Sequence, residues 1–230
     1  AYEITCRDWS SDGGSSDLVP DLIWERKGRE LHVSLYPENL VVLGLVSGGK
    51  AVFRAGIPSG FNGSVEVLSD SDNVVLRNLR VSNLSVKVRS GNLSADDLSA
   101  KDLDISCSSG NISLDKIGVS GNFNLSSSSG NVNIGQVAVQ GKGSFTVSSG
   151  NFKGDTLTAA EVDIRSRSGK IDMNTILSKG GINIKSESGK VQCGRIEGER
   201  IRVVASSGDI SLGELQGELD IESSSGNVAL

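Results

Sequence analysis

From Val65 to Leu230 the chain repeats itself about every 19 residues, and a period of that length confines it to architectures built by stacking one unit on the next. The dipeptide Ser-Gly marks each repeat: Ser90-Gly91, Ser109-Gly110, Ser129-Gly130, Ser149-Gly150, Ser168-Gly169, Ser188-Gly189, Ser207-Gly208 and Ser225-Gly226 follow one another at spacings of 18 to 20. Ser71-Asp72, 19 residues before Gly91, is a degenerate ninth copy. Counted from each glycine, the same positions are apolar. Ile112, Leu114 and Ile117 follow Gly110, and Phe123 and Leu125 precede Gly130. Gly143 and Gly154 are the conspicuous exceptions. The residues between are mostly Ser, Asn, Asp, Lys, Arg or Glu.

Within each segment the apolar period is two, the signature of a strand, and between segments the phase jumps by three, which marks a bend. Each repeat therefore reads as about three short strands. A coil of this length cannot bury its own apolar side, whereas identical coils stacked on it share one continuous core. The expected fold is all-β: a right-handed parallel β-helix of about nine coils of 18 to 20 residues. Eight steps of roughly 4.8 Å make a rod about 38 Å long.

The bend chemistry agrees with stacking. Glycine reaches positive φ at little steric cost, and Asp72 is the residue type that best replaces it. The serine before each glycine can bond neighbouring backbone with its hydroxyl. Asn73, Asn92, Asn111, Asn131 and Asn151 should stack as an amide ladder that passes into Lys170, Lys190 and Asp209 before Asn227. A second glycine-rich bend at Gly121, Gly141, Gly180, Gly198 and Gly217 absorbs the variation in period.

Residues 1–56 differ, and residues 57–230 form one continuous repeat domain. All three prolines, both tryptophans, both tyrosines and the single histidine lie before residue 59. Residues 22–35 read as a hairpin turning at Lys27-Gly28, with His32 on the exposed side of its second strand. Residues 10–17, all Ser, Asp and Gly, read as a loop, and residues 52–58 as the strand leading into the rod. The open end of a solenoid exposes apolar side chains and strand edges, so this section is expected to cap it. Leu230 stands four residues into a coil, where a further tail or another subunit is expected to cover the far end. The chain opens Ala-Tyr-Glu, and a leader or membrane anchor is expected before it.

Chemistry-bearing residues are few. Three cysteines are too few for a disulfide scaffold, and Cys107 and Cys193 fall several layers apart, so reduced, buried thiols are expected. His32 has no Ser or Cys partner identifiable from spacing. The repeating Ser-x-Ser-Gly resembles no nucleophile elbow, and the recurrent Asp of calcium-binding β-rolls is missing, so no catalytic residue, metal or cofactor is expected. Asp96, Asp97, Asp115, Asp155 and Asp172 lie on related outward edges without forming a separate pair of carboxylates such as glycoside hydrolysis needs. With 23 Lys+Arg against 28 Asp+Glu the net charge is −5, which argues against a nucleic-acid partner. No apolar run reaches the ~20 residues of a membrane-spanning helix. Charge is nonetheless uneven: residues 151–202 carry 10 basic and 7 acidic groups, and residues 203–230 carry 5 acids and no Lys or Arg. Arg165, Arg167, Lys170, Lys185 and Lys190 fall near one corner of adjacent coils. They form either a patch for an anionic glycan or phosphate-bearing polymer or, with Asp163, Asp172 and Glu187 interleaved, a solvated face of ion pairs.

Repeats such as Ser108-Ser109-Gly110-Asn111-Ile112-Ser113-Leu114, reached through Ile57-Pro58-Ser59-Gly60 and preceded by Arg29-Glu30-Leu31-His32-Val33, resemble a widespread bacterial adhesin-type family of unknown function. The resemblance runs from about Leu22 to the end. It implies a right-handed β-helix anchored to or exported across the bacterial membrane, with no family catalytic residues to carry over. The expected role is a non-enzymatic binding or scaffold module of the cell envelope or the extracellular space, contacting glycan or protein. Self-association end to end or side by side is a further expectation. Two alternatives stand beside it: a polysaccharide-active β-helix lyase or hydrolase, and an intracellular assembly or regulatory scaffold.

Overall fold

The computed structural model describes residues 63–71 and 73–230, together with the backbone of strands 23–24, 31–36 and 39–44. Residues 10–17, 52–58 and Asp72, for which expectations were stated, lie outside the described residues, as does the His32 side chain. The strands in chain order are β1 (Ile23–Trp24), β2 (Leu31–Tyr36), β3 (Asn39–Gly44), β4 (Ser64–Ser69), β5 (Val74–Ser90), β6 (Leu93–Ser109), β7 (Ile112–Val119), β8 (Phe123–Ser129) and β9 (Val132–Val139). They continue as β10 (Lys142–Ser149), β11 (Phe152–Ala159), β12 (Glu161–Ser168), β13 (Ile171–Ser178), β14 (Gly181–Ser188), β15 (Val191–Ser207), β16 (Ile210–Ser223) and β17 (Val228–Ala229). No helix occurs among the described residues.

The chain winds as a parallel β-solenoid of about nine turns, as the repeat demands. The first halves of β5 and β6 start one parallel ladder, which runs on through β7, β9, β11, β13, the first halves of β15 and β16, and β17. A second ladder runs through β4, the later halves of β5 and β6, β8, β10, β12, β14 and the later halves of β15 and β16. Successive rungs meet in register, Ile112 on Val132 and Val132 on Phe152.

The bend expected between the first and second short strands exists, yet the ladder continues through it. In β7 the inward alternation Ile112, Leu114 gives way to two exposed residues, Asp115 and Lys116, before Ile117 turns inward again. In the first three coils the bend is made by a non-glycine residue with positive φ: Asn78 at 53°, Asp97 at 53° and Lys116 at 52°. One residue in the left-handed region turns the chain while the residues on either side keep their ladder bonds.

The Ser-Gly bend is where stacking is tightest. From Gly91 to Gly226 the column glycines have φ between +119° and +145°. From Gly91 to Gly208 each column amide donates to the serine carbonyl of the next layer, as Gly130 does to Ser149 at 3.0 Å and Gly150 to Ser168 at 3.1 Å. The outer serines Ser90, Ser109, Ser129, Ser149, Ser168, Ser188, Ser207 and Ser225 are exposed. Hydroxyl bonding at this bend belongs instead to the serine two residues earlier, whose side chain points inward: Ser166 Oγ donates to the Gly169 carbonyl at 3.4 Å and Ser186 Oγ to the Gly189 carbonyl at 3.2 Å. At Ser127, Ser166 and Ser186 the first serine of Ser-x-Ser-Gly is thus the buried one.

The asparagine ladder forms, with side chain bonding to backbone. Asn73 Oδ1 accepts the Asn92 amide at 2.8 Å, Asn92 Oδ1 that of Asn111 at 2.9 Å, Asn111 Oδ1 that of Asn131 at 2.9 Å and Asn131 Oδ1 that of Asn151 at 3.0 Å. Asn151 Oδ1 accepts the Lys170 amide at 3.0 Å, and the pattern resumes between Asp209 and Asn227 at 2.9 Å.

The inward columns fill one core along the rod. At its centre Phe145 packs edge-on to Phe123 at 5.2 Å between centroids and tilted against Phe152 at 5.5 Å. The two glycines that broke the apolar pattern make room for their large neighbours. A Cβ on Gly143 would stand 2.9 Å from Phe145 Cε2, and one on Gly154 would stand 2.6 Å from Ile134 Cγ1.

Before the rod, β1 and β2 pair antiparallel, Trp24 on Val33, which is the expected hairpin. β2 then pairs antiparallel with β3, and β3 lies parallel to β4, Leu40 on Val65. An antiparallel edge is thereby joined to the parallel stack. At the other end Val228 and Leu230 are exposed, and Leu215, Leu219 and Ile221 are half-buried against the core.

Candidate functional site

Outward-facing positions form columns just as inward ones do, and any contact surface must be built from them. The basic corner foreseen in the sequence is assembled by β12, β14 and the bends that follow. Arg165 pairs in register with Lys185, and the Ile171 amide donates to the Lys190 carbonyl, which sets Lys170 beside Lys190. Three of the five cations face acids: Arg165 Nη2 donates to Asp163 Oδ2 at 2.7 Å, Lys170 Nζ donates to Asp172 Oδ2 at 2.8 Å, and Arg167 Nε stands 3.7 Å from Glu187 Oε2. This is the interleaved arrangement of exposed ion pairs, each worth about 0–1 kcal/mol.

The outward carboxylates are dispersed. Asp96 and Asp115 are neighbours in register at the outer bend. Asp97 binds Arg80, Asp155 accepts from Asn174 Nδ2 at 2.9 Å, and Asp172 holds Lys170. Among the described residues no group of three or more His, Cys, Asp or Glu side chains is placed to share a metal ion.

Two shallow grooves mark the outer surface. The larger, about 630 Å³, crosses six rungs, with Ser99, Ala138 and Thr158 on its floor and Arg80, Lys101 and Lys179 as its charged groups. The smaller, about 580 Å³, lies over the second ladder near Asn83, Asp102, Asp104 and Asn122. The apolar columns of the repeat point to neither groove. The signal is present ten residues after each glycine, where the outward column runs Ser82, Lys101, Ser120, Gln140, Ala160, Lys179.

Cys107 and Cys193 are free and buried, as their layer separation required. Burial pushes the Cys193 thiol up from its ordinary value near 9 to about 12, with Asp172 adding in the same direction, and burial raises Cys107 as well. A native chain at pH 8 should therefore leave Cys193 unmodified by a thiol-specific disulfide reagent, and the thiol should react once urea unfolds the chain. Because the folded thiol keeps its proton while the unfolded one loses it, Cys193's contribution to stability is fully present below pH 9 and declines from there toward pH 12. Rapid native labelling of Cys193 would contradict its burial.

A parallel solenoid whose outer faces are repeated side-chain columns defines a β-helical repeat protein. More particularly, the chain belongs to the Toastrack DUF4097 family, which matches residues 59–179 and again residues 147–230. The two matches overlap, as a repeat allows when one unit can be laid on the chain in more than one register. No curated protein and no solved structure matches the chain. No helix among the described residues is long and apolar enough to cross a membrane.

Proposed function

We propose that this Toastrack protein is a non-enzymatic binding and scaffold module of the bacterial cell envelope or extracellular space, contacting glycan or protein through its outward strand faces. The adhesin resemblance supplies the setting. The observation that carries the reading is the shape and chemistry of those faces: shallow grooves over rigid, fully laddered rungs, with the carboxylates spread along the rod and drawn into bonds with Arg80, Asn174 and Lys170. Glycoside hydrolysis needs two carboxyl groups flanking one bond. Asp96 and Asp115 instead stand side by side on one outward bend.

The test is incubation with a panel of linear polysaccharides, following both retention and the release of reducing or unsaturated ends. Retention of at least one polymer without product is expected. Product release that survives repurification would refute the non-enzymatic reading, and so would the absence of retention by every glycan and every envelope protein fraction.

A further inference from the structure

The larger groove carries charge in an arrangement the basic corner lacks. Lys179 stands at one end and Lys101 one rung in from the other, beside Arg80, in one column joined rung by rung through the bonds from Ser120 to Ala100, Gln140 to Val119, Ala160 to Gly141 and Lys179 to Ala159. Four rungs of about 4.8 Å separate them by roughly 19 Å. Both side chains are exposed, and among the described residues neither meets a carboxylate. Arg80 is held in place, Nη1 donating to the Asp97 carbonyl at 2.7 Å and Nη2 to Asp97 Oδ1 at 2.7 Å. No acidic residue among the described ones lines the groove. On a chain of net charge −5, this is a trough whose charged lining is entirely cationic among the described residues.

The lining selects among anionic occupants. The groove runs across interior rungs, whose N–H and C=O groups are used in the ladders, so a peptide would find no free strand edge to extend. Among the described residues no aromatic ring lines it on which bases could stack. Hydroxyl and amide side chains (Ser99, Ser120, Gln140 and Thr158) are spaced along the floor and rim. Such groups suit a chain of sugar hydroxyls.

We propose that this groove seats a linear acidic polysaccharide lying along the rod axis, with carboxylates toward Lys101 and Lys179 and hydroxyls toward Ser99, Ser120, Gln140 and Thr158. The proposal rests on the binding reading above and names its ligand class.

Calorimetric titration of the full chain with oligogalacturonate of about ten units tests it, with neutral dextran and poly-glutamate as comparison ligands. Three variants decide the location: Lys101→Glu with Lys179→Glu, Ala138→Trp to fill the floor without changing charge, and Lys185→Glu with Lys190→Glu at the basic corner. All are exposed positions, and unchanged thermal midpoints confirm folding. The paired groove variant and Ala138→Trp are each expected to weaken oligogalacturonate at least tenfold, the corner variant less than threefold, and dextran to bind no variant. Absence of oligogalacturonate binding, equal loss in the corner variant, or tighter binding of poly-glutamate would overturn the proposal. Retention of another polymer elsewhere on the rod would then leave the binding function standing, whereas product release would refute that function without touching the groove.

Discussion

Replacing Gly150 with alanine is expected to destabilise the rod by about 4 kcal/mol, whereas Gly118→Ala should be neutral or stabilise it by about 0.5 kcal/mol. Gly150 has φ +126°, a region that other residues occupy only at a cost of about 1–3 kcal/mol. The added Cβ would also overlap the carbonyl oxygen of Gly130 one layer away and lie 2.6 Å from its carbonyl carbon. That carbonyl cannot withdraw, because its own layer is bonded on both sides, so overpacking adds about 1–3 kcal/mol. Gly118 is a glycine of the same rod without either constraint: its φ is not positive, and a Cβ there would meet Ser99 Oγ at an ordinary 3.6 Å. Urea unfolding followed by circular dichroism distinguishes the two. Coincident midpoints would mean that the column glycines are not needed for the stack.

Phe145→Ala is expected to cost about 3–5 kcal/mol by opening a cavity beside Phe123 and Phe152. Gly143→Leu alone should cost about 1–3 kcal/mol, since its first carbon already crowds the Phe145 ring. Combined, they should not add. Neighbouring coils carry a side chain at the Gly143 position, Phe123 on one side and Val162 on the other, and a smaller one at the Phe145 position, Leu125 and Ile164. The coil has moved its volume two residues along the strand. The double variant moves it back and is expected to recover at least 1 kcal/mol through direct coupling. A double-mutant cycle by denaturant unfolding measures this, and strict additivity would refute the exchange of volume.

Most of the solenoid was legible because burial writes itself into sequence as apolar residues at fixed spacing. Ile112, Leu114, Ile117, Phe123 and Leu125 are each buried where the period placed them. What escaped did so where the inward residue is not apolar or the outward one carries no period. Ser127, Ser166 and Ser186 are buried three residues before their glycines, yet serine reads as surface, so that inward column was missed. Ser166 and Ser186 are accommodated by bonds to the turn carbonyls. Asn78, Asp97 and Lys116 turn the chain without glycine, which left that bend visible only as a phase jump. β3 joins the parallel stack through a run, Leu40-Val41-Val42-Leu43, that lacks alternation. Arg165 and Lys185 share a rung step, as do Lys170 and Lys190, but ion pairing depends on rotamers rather than spacing. The groove needed the outward columns to be read across coils.

The glycine column also governs how such a chain can change size. Each bend touches only the bends directly above and below it, through the same amide-to-carbonyl contact every time. Duplicating or excising one whole unit would recreate that contact at the junction and disturb nothing further away. Length can then drift over generations in increments of roughly 4.8 Å, with the distance between two charged side chains set by counting units, as on a ruler.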